Sequence, residues 1–149
     1  MPATWIVVAD GSRARIFERR QHNQPLQEIE DFVNEGGRAD NEELRSDGSG
    51  RFFGKNGRAQ GDTFEPSVLP KEREAENFSR TIADYLERGR NEHRYEQIYL
   101  IAAPKFLGYL RGNMKRPLEK MVEAELAKDI STAKLEQIER FVRERIDGR

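Results

Sequence analysis

Residues 5–17 read Trp-Ile-Val-Val-Ala-Asp-Gly-Ser-Arg-Ala-Arg-Ile-Phe, and the fold follows from them. Trp5 to Ala9 is apolar at every position, the pattern of a strand covered on both faces. Asp10-Gly11 supplies turn chemistry, and Arg13 to Phe17 alternates charged or small with apolar residues, so the first 18 residues are expected to form a hairpin. Pro25-Leu26 opens a third run that reaches Phe32-Val33, diluted by Glu28, Glu30 and Asp31 in the manner of an edge or half-exposed strand.

Farther along the chain the period changes. Ala75, Phe78, Ile82 and Leu86 recur at spacings of three and four, between Pro70 with Glu72 and Gly89, which predicts an amphipathic helix. Gln97 to Ala103 is a second doubly buried strand. Pro104 closes it and suits the first turn of a helix, having no amide hydrogen to lose there. Phe106, Leu107, Leu110 and Met114 continue that helix. Leu118 to Leu126 fits a helix through Leu118, Met121, Val122 and Leu126, and fits a strand through Val122, Ala124 and Leu126, so periodicity leaves both readings open. Ser131 or Thr132 is expected to cap a last helix with Leu135, Ile138, Val142 and Ile146 on one face. Strands alternating with helices, plus one hairpin, give an α/β layered fold with a mixed sheet.

The chain has 149 residues, 26 Lys+Arg against 27 Asp+Glu, and no cysteine. At that length one domain over 1–149 is expected, burying roughly 68–70% of its unfolded surface. The absence of cysteine excludes disulfides, thiolate zinc sites and a cysteine nucleophile, and two histidines, His22 and His93, leave little for a histidine metal site. Both histidines fall in polar connections and are expected to be solvated. The N-terminal segment lacks a positive region and its apolar run stops at Asp10, so the expectation is a cytoplasmic protein with no membrane association. No GxGxxG, GxxxxGK[ST] or HExxH motif occurs, and no cofactor is expected.

Seven of the 12 glycines lie between Gly36 and Gly61, inside a stretch from about 34 to 66 with few apolar residues. A loop of that length within a compact domain is usually functional or disordered. Arg38, Arg45, Arg51, Lys55 and Arg58 put cations among small residues that let a backbone approach a phosphate, and Phe52 and Phe53 suit stacking on bases. Asp40, Glu42, Glu43 and Asp47 nearly offset those cations. A second candidate is the strand–helix junction after Ala103, where helix amides and the charges of Lys105 and Arg111 suit an anion, and where Gly108 has the alternative role of allowing tight helix packing. Asp10 with Asp47 or Asp129 resembles a carboxylate metal site. Yet the Asp10-Gly11 turn and a helix start near Asp129 give these acids simpler structural roles, so no metal is expected.

Trp5 to Asp10 with Ala14-Arg15-Ile16-Phe17, Leu44-Arg45-Ser46-Asp47 with Gly50-Arg51, Ala102-Ala103-Pro104 with Leu107-Gly108-Tyr109-Leu110-Arg111, and Lys128-Asp129-Ile130-Ser131 together resemble the bacterial host attachment protein family. That family in turn looks like a relative of the middle domain of archaeal and eukaryotic peptide-chain release factors. The resemblance implies a ribonuclease-H-like sandwich of helices around a mixed five-stranded sheet, and turns the segment after Lys120 toward a strand. In release factors the corresponding loop carries Gly-Gly-Gln, which helps water hydrolyse peptidyl-tRNA. This chain has Gly36-Gly37-Arg38 and Ala59-Gln60-Gly61 but no Gly-Gly-Gln. The expectation is therefore a non-enzymatic RNA- or ribosome-associated module acting through Arg38, Arg45, Arg51, Phe52, Lys55, Arg58 and Gln60. A peptidyl-tRNA or nascent-chain hydrolase using Gln60, and a protein-interaction scaffold, are the alternatives. The third strand leaves a sheet edge open to a dimer, but the sequence holds no seam that specifies one.

Overall fold

The computed structural model describes residues 3–22, 24–35 and 70–148. A hairpin comes first, β1 (Thr4–Ala9) and β2 (Arg13–Arg19), followed by β3 (Gln27–Val33). Helix α1 (Pro70–Asn91), β4 (Gln97–Ala102), α2 (Pro104–Gly112), the short α3 (Arg116–Glu119) and β5 (Val122–Ala127) follow. The last helix, α4 (Leu135–Phe141), continues as a π-helical segment, Val142–Asp147. The strands form one five-stranded sheet in the order β3-β2-β1-β4-β5. β1 pairs antiparallel with β2 and parallel with β4, β2 pairs antiparallel with β3, and β5 is parallel to β4. This is the α/β layering with a mixed sheet that the sequence pattern predicts and the five strands that the family resemblance implies, with β3 at one edge.

β1 lies in the middle of the sheet, which is why each of Trp5 to Ala9 is apolar: all five are fully buried. Period-two alternation divides them. Trp5, Val7 and Ala9 join α1 and α2 in one core through Phe78, Ile82, Leu86, Phe106 and Leu110. Ile6 and Val8 join Phe17, Ile101, Ile138, Val142 and Ile146 in a second core under α4. Helices therefore cover both faces of the sheet.

Several local expectations are corrected. α1 does not stop at Gly89 but continues to Asn91. Gly89 is needed inside the helix instead, because a Cβ there would come within 2.8 Å of the Trp5 ring and 3.0 Å of Tyr95. The helix closes at His93, whose φ of 57° is left-handed, with the amides of His93 and Arg94 donating back to the carbonyls of Arg90 and Gly89. α2 ends at Gly112, and Met114 follows in the turn, still buried. Residues 118–126 satisfy both readings in succession: Leu118 is the buried residue of α3, while β5 buries Val122, Ala124 and Leu126 in part and exposes Glu123 and Glu125. Neither Ser131 nor Thr132 caps α4. Lys134 takes the cap position, with its amide donating to Gln137 Oε1 at 3.0 Å, and Leu135 is 39% exposed because it precedes the first inward turn.

A candidate site at the carboxyl end of the sheet

The carboxyl ends of β1, β4 and β5 point the same way, because these three strands are parallel. The end of β3, the start of β2 and the first turns of α1 and α2 meet them there. Asp10 organises the β1–β2 turn: its Oδ1 accepts the amides of Ser12 at 2.8 Å and Arg13 at 2.9 Å. Its Oδ2 accepts the hydroxyl of Ser131 at 2.9 Å, across 121 residues of sequence. Ser131 is fully buried, and its Oγ is also 3.2 Å from Asp129 Oδ1. One hydroxyl proton serves one carboxylate at a time, and the shorter contact is to Asp10.

Asp129 therefore does not start a helix; it accepts from Ser131 in the connection that precedes α4. The structure thus brings Asp10 and Asp129 together around one serine. Asp47 lies outside the described residues. Among the described residues no three His, Asp or Glu side chains converge as metal ligands.

The same connection is held from the other side by Arg15. Its Nη1 donates to the carbonyls of Ser131 at 3.1 Å and Ala133 at 2.6 Å, while Nε and Nη2 fork onto Glu28 at 3.1 Å each. Arg15 is 7% exposed, a burial that sequence reasoning missed. A signal existed, because alternation along β2 places Arg15 on the same face as Phe17, and Phe17 is fully buried. Nearby, exposed Arg13 pairs with Asp31 at 2.8 Å, and that guanidinium holds the Asp31 carboxyl below its ordinary range.

Asn34 fastens the end of β3 to this region. Its Nδ2 donates to the Gly11 carbonyl at 2.9 Å and the Glu74 carbonyl at 3.4 Å, and its amide donates to Ser12. The described residues on either side of 36–69 are thus joined beside the β1–β2 turn, whereas Arg38, Arg45, Arg51, Phe52, Lys55, Arg58 and Gln60 lie outside the described residues. At the same end, α2 begins with Ala103 in the cap position and no side-chain cap, so among the described residues no side chain accepts the amides of Lys105 and Phe106. Lys105 stands over this end and pairs with Glu72 of α1 at 2.7 Å; the Glu72 carboxylate holds the ammonium above its ordinary range.

Arg111 is not part of this convergence. It lies six residues, about 9 Å, farther along α2 and pairs through Nε and Nη2 with Glu125 on β5, which raises its own pKa. The second sequence candidate therefore divides, Lys105 at the junction and Arg111 on the flank. Gly108 is exposed, and a Cβ there would meet nothing within 4 Å, so it is not a packing glycine. His22 is exposed as expected, and its Nε2 also lies 3.1 Å from Asp147. No described helix is long and apolar enough to cross a membrane.

Comparison with known proteins gives three results. Over 84 residues the chain is 33% identical to a protein of Rickettsia prowazekii (strain Madrid E) described as uncharacterized, covering 55% of this chain and 56% of that one, so the match spans about half the length of each. An archaeal translation termination factor of known crystal structure aligns with 98% of this chain and 39% of its own, with a TM-score of 0.48 and 11% identity. The model of the family described as "protein required for attachment to host cells" matches residues 5–142, and the chain belongs to that family.

Proposed function

We propose that this protein is a non-enzymatic RNA- or ribosome-associated module that works in the cytoplasm and presents residues 34–66 to its target from the carboxyl end of the sheet. The observation that carries the proposal is the anchoring of that segment. Asn34, at its start, bonds to Gly11 and Glu74, and the first turn of α1, which follows it, lies beside the start of α2 through the Lys105–Glu72 pair. The fold thus supplies donors beside the described residues that flank the segment, and the segment's sequence supplies cations. That combination suits a phosphate backbone, where each neutralised phosphate releases counterions. Phe52 and Phe53 add stacking surfaces that tolerate any base.

The test is fluorescence anisotropy with a labelled single-stranded RNA across a salt series, for wild type and for Arg51→Ala/Lys55→Ala/Arg58→Ala. Three lost phosphate contacts should weaken binding and flatten the slope of log K against log salt by about 2 on a single strand. An unchanged slope removes the physical basis of the proposal. Peptide release from ribosomes loaded with labelled peptidyl-tRNA, abolished by Gln60→Ala, would favour the hydrolase instead.

A further inference from the structure

At the opposite end of the sheet, where Arg19 of β2 pairs with Thr4 of β1, there is a cavity of about 500 Å³ between the β2–β3 connection and the last helix. We infer that this cavity is a binding site for a small organic monoanion, a carboxylate carrying an apolar body. The inference is independent of the proposed function and concerns a different part of the molecule.

The volume falls in the range of small-ligand pockets, roughly 300–1,000 Å³. Leu26 and Val142, both buried, form its apolar depth. Its exposed rim carries Pro25 and three side chains with hydrogen-bond donors, His22, Gln24 and Arg143. One wall is the π-helical segment Val142–Asp147, a geometry frequently found at functional sites.

The charges around the cavity decide the ligand class. Arg19, 7% exposed, forks onto Asp147 at 2.9 and 2.6 Å and donates to the His22 carbonyl at 2.9 Å. Glu139 Oε2 accepts the Leu26 amide at 2.9 Å. Both acids in the wall are therefore engaged with the protein, and so is the buried arginine. Arg143 joins none of the ion pairs among the described residues. It is the cation available to a ligand.

Counted formally, however, Arg19 and Arg143 balance Glu139 and Asp147. A singly charged carboxylate gains the Arg143 contact and adds one negative charge to a balanced lining, whereas a phosphate dianion adds two. The apolar depth takes the rest of the ligand, so formate-sized ions use only part of the site.

The test is a ¹H–¹⁵N correlation titration of the full chain with benzoate, beside benzamide as the neutral analogue and inorganic phosphate as the dianion. Benzoate should shift amides of residues 19–26 and 139–147 saturably, with a dissociation constant on the order of millimolar. Benzamide and phosphate should bind at least about fivefold more weakly, and Arg143→Ala should weaken benzoate about tenfold. Arg140→Ala, which removes an exposed cation from the same helix outside the cavity, should leave benzoate binding unchanged. The inference is overturned if benzoate shifts nothing in these segments, if Arg143→Ala binds it as tightly as wild type, or if phosphate binds as well as benzoate.

Discussion

Replacing Arg15 by methionine isolates what a buried cation on a central hairpin contributes. Methionine keeps an unbranched stem against Phe17, whose ring centre lies 5.3 Å from the guanidinium carbon, and removes the charge and every donor. The Ser131 carbonyl then loses a buried donor, costing about 1–3 kcal/mol, and the half-exposed Ala133 carbonyl loses about 1. Glu28, with 30% of its side chain exposed, returns to water, so its pair adds about 0.5–1 kcal/mol. The expected total is about 2.5–5 kcal/mol. At about 2–4 °C per kcal/mol for a chain of this size, the melting temperature should fall by about 5–20 °C.

Arg13→Met is the control on the same strand. Its pair with Asp31 has side chains 36% and 42% exposed and should cost at most about 1 kcal/mol. Urea unfolding followed by circular dichroism, with unchanged m values, gives both numbers. A difference between the two variants below about 1 kcal/mol would refute the view that Arg15 latches the connection before α4.

Three further outcomes are expected. His93→Gly relieves a left-handed backbone and should stabilise the protein by about 0.5–1 kcal/mol in thermal melts. Gly89→Ala should lose about 1–3 kcal/mol although it favours helix, because its Cβ meets the Trp5 ring, whereas Gly108→Ala, facing open space, should gain about 0.5–1. Burial pushes the Tyr95 phenol above its ordinary pKa, its hydroxyl donating to the Leu86 carbonyl at 2.5 Å. Its folded-state pKa exceeds the unfolded one, so its contribution is complete below about pH 10 and declines as pH rises above that. Phenolate absorbance during alkaline titration, with Tyr95→Phe as reference, should show this phenol ionising together with unfolding. Ionisation in the native state would contradict the burial argument.

The parts of the fold legible in the sequence are those fixed by local pattern. Unbroken apolarity marks β1 and β4, three-and-four spacing marks α1 and α2, and acids that dilute the alternation mark β3 as an edge. Long-range partners were illegible. Ser131 resembles a helix cap because serine accepts readily at helix starts, and only its hydroxyl bond to Asp10, 121 residues away, shows otherwise. Nothing local marks Arg15 or Arg19 as buried, because a charged strand residue is buried only with a partner, and Arg19 finds its partner 128 residues on, in Asp147. Gly89 read as a helix end because nothing local signals a tryptophan ring against that turn. At the candidate site, the place of Lys105 after a strand is legible, but its separation from Arg111 depends on Glu125, a residue of a strand that periodicity alone leaves undecided.

The most direct test of the proposed function is co-sedimentation of the purified protein with 70S ribosomes across a salt series, beside a variant lacking residues 38–61. Binding that weakens with salt and disappears with the deletion is the expected result. Binding by the deletion variant equal to that of the full chain, or no sedimentation of the full chain at low salt, would contradict it.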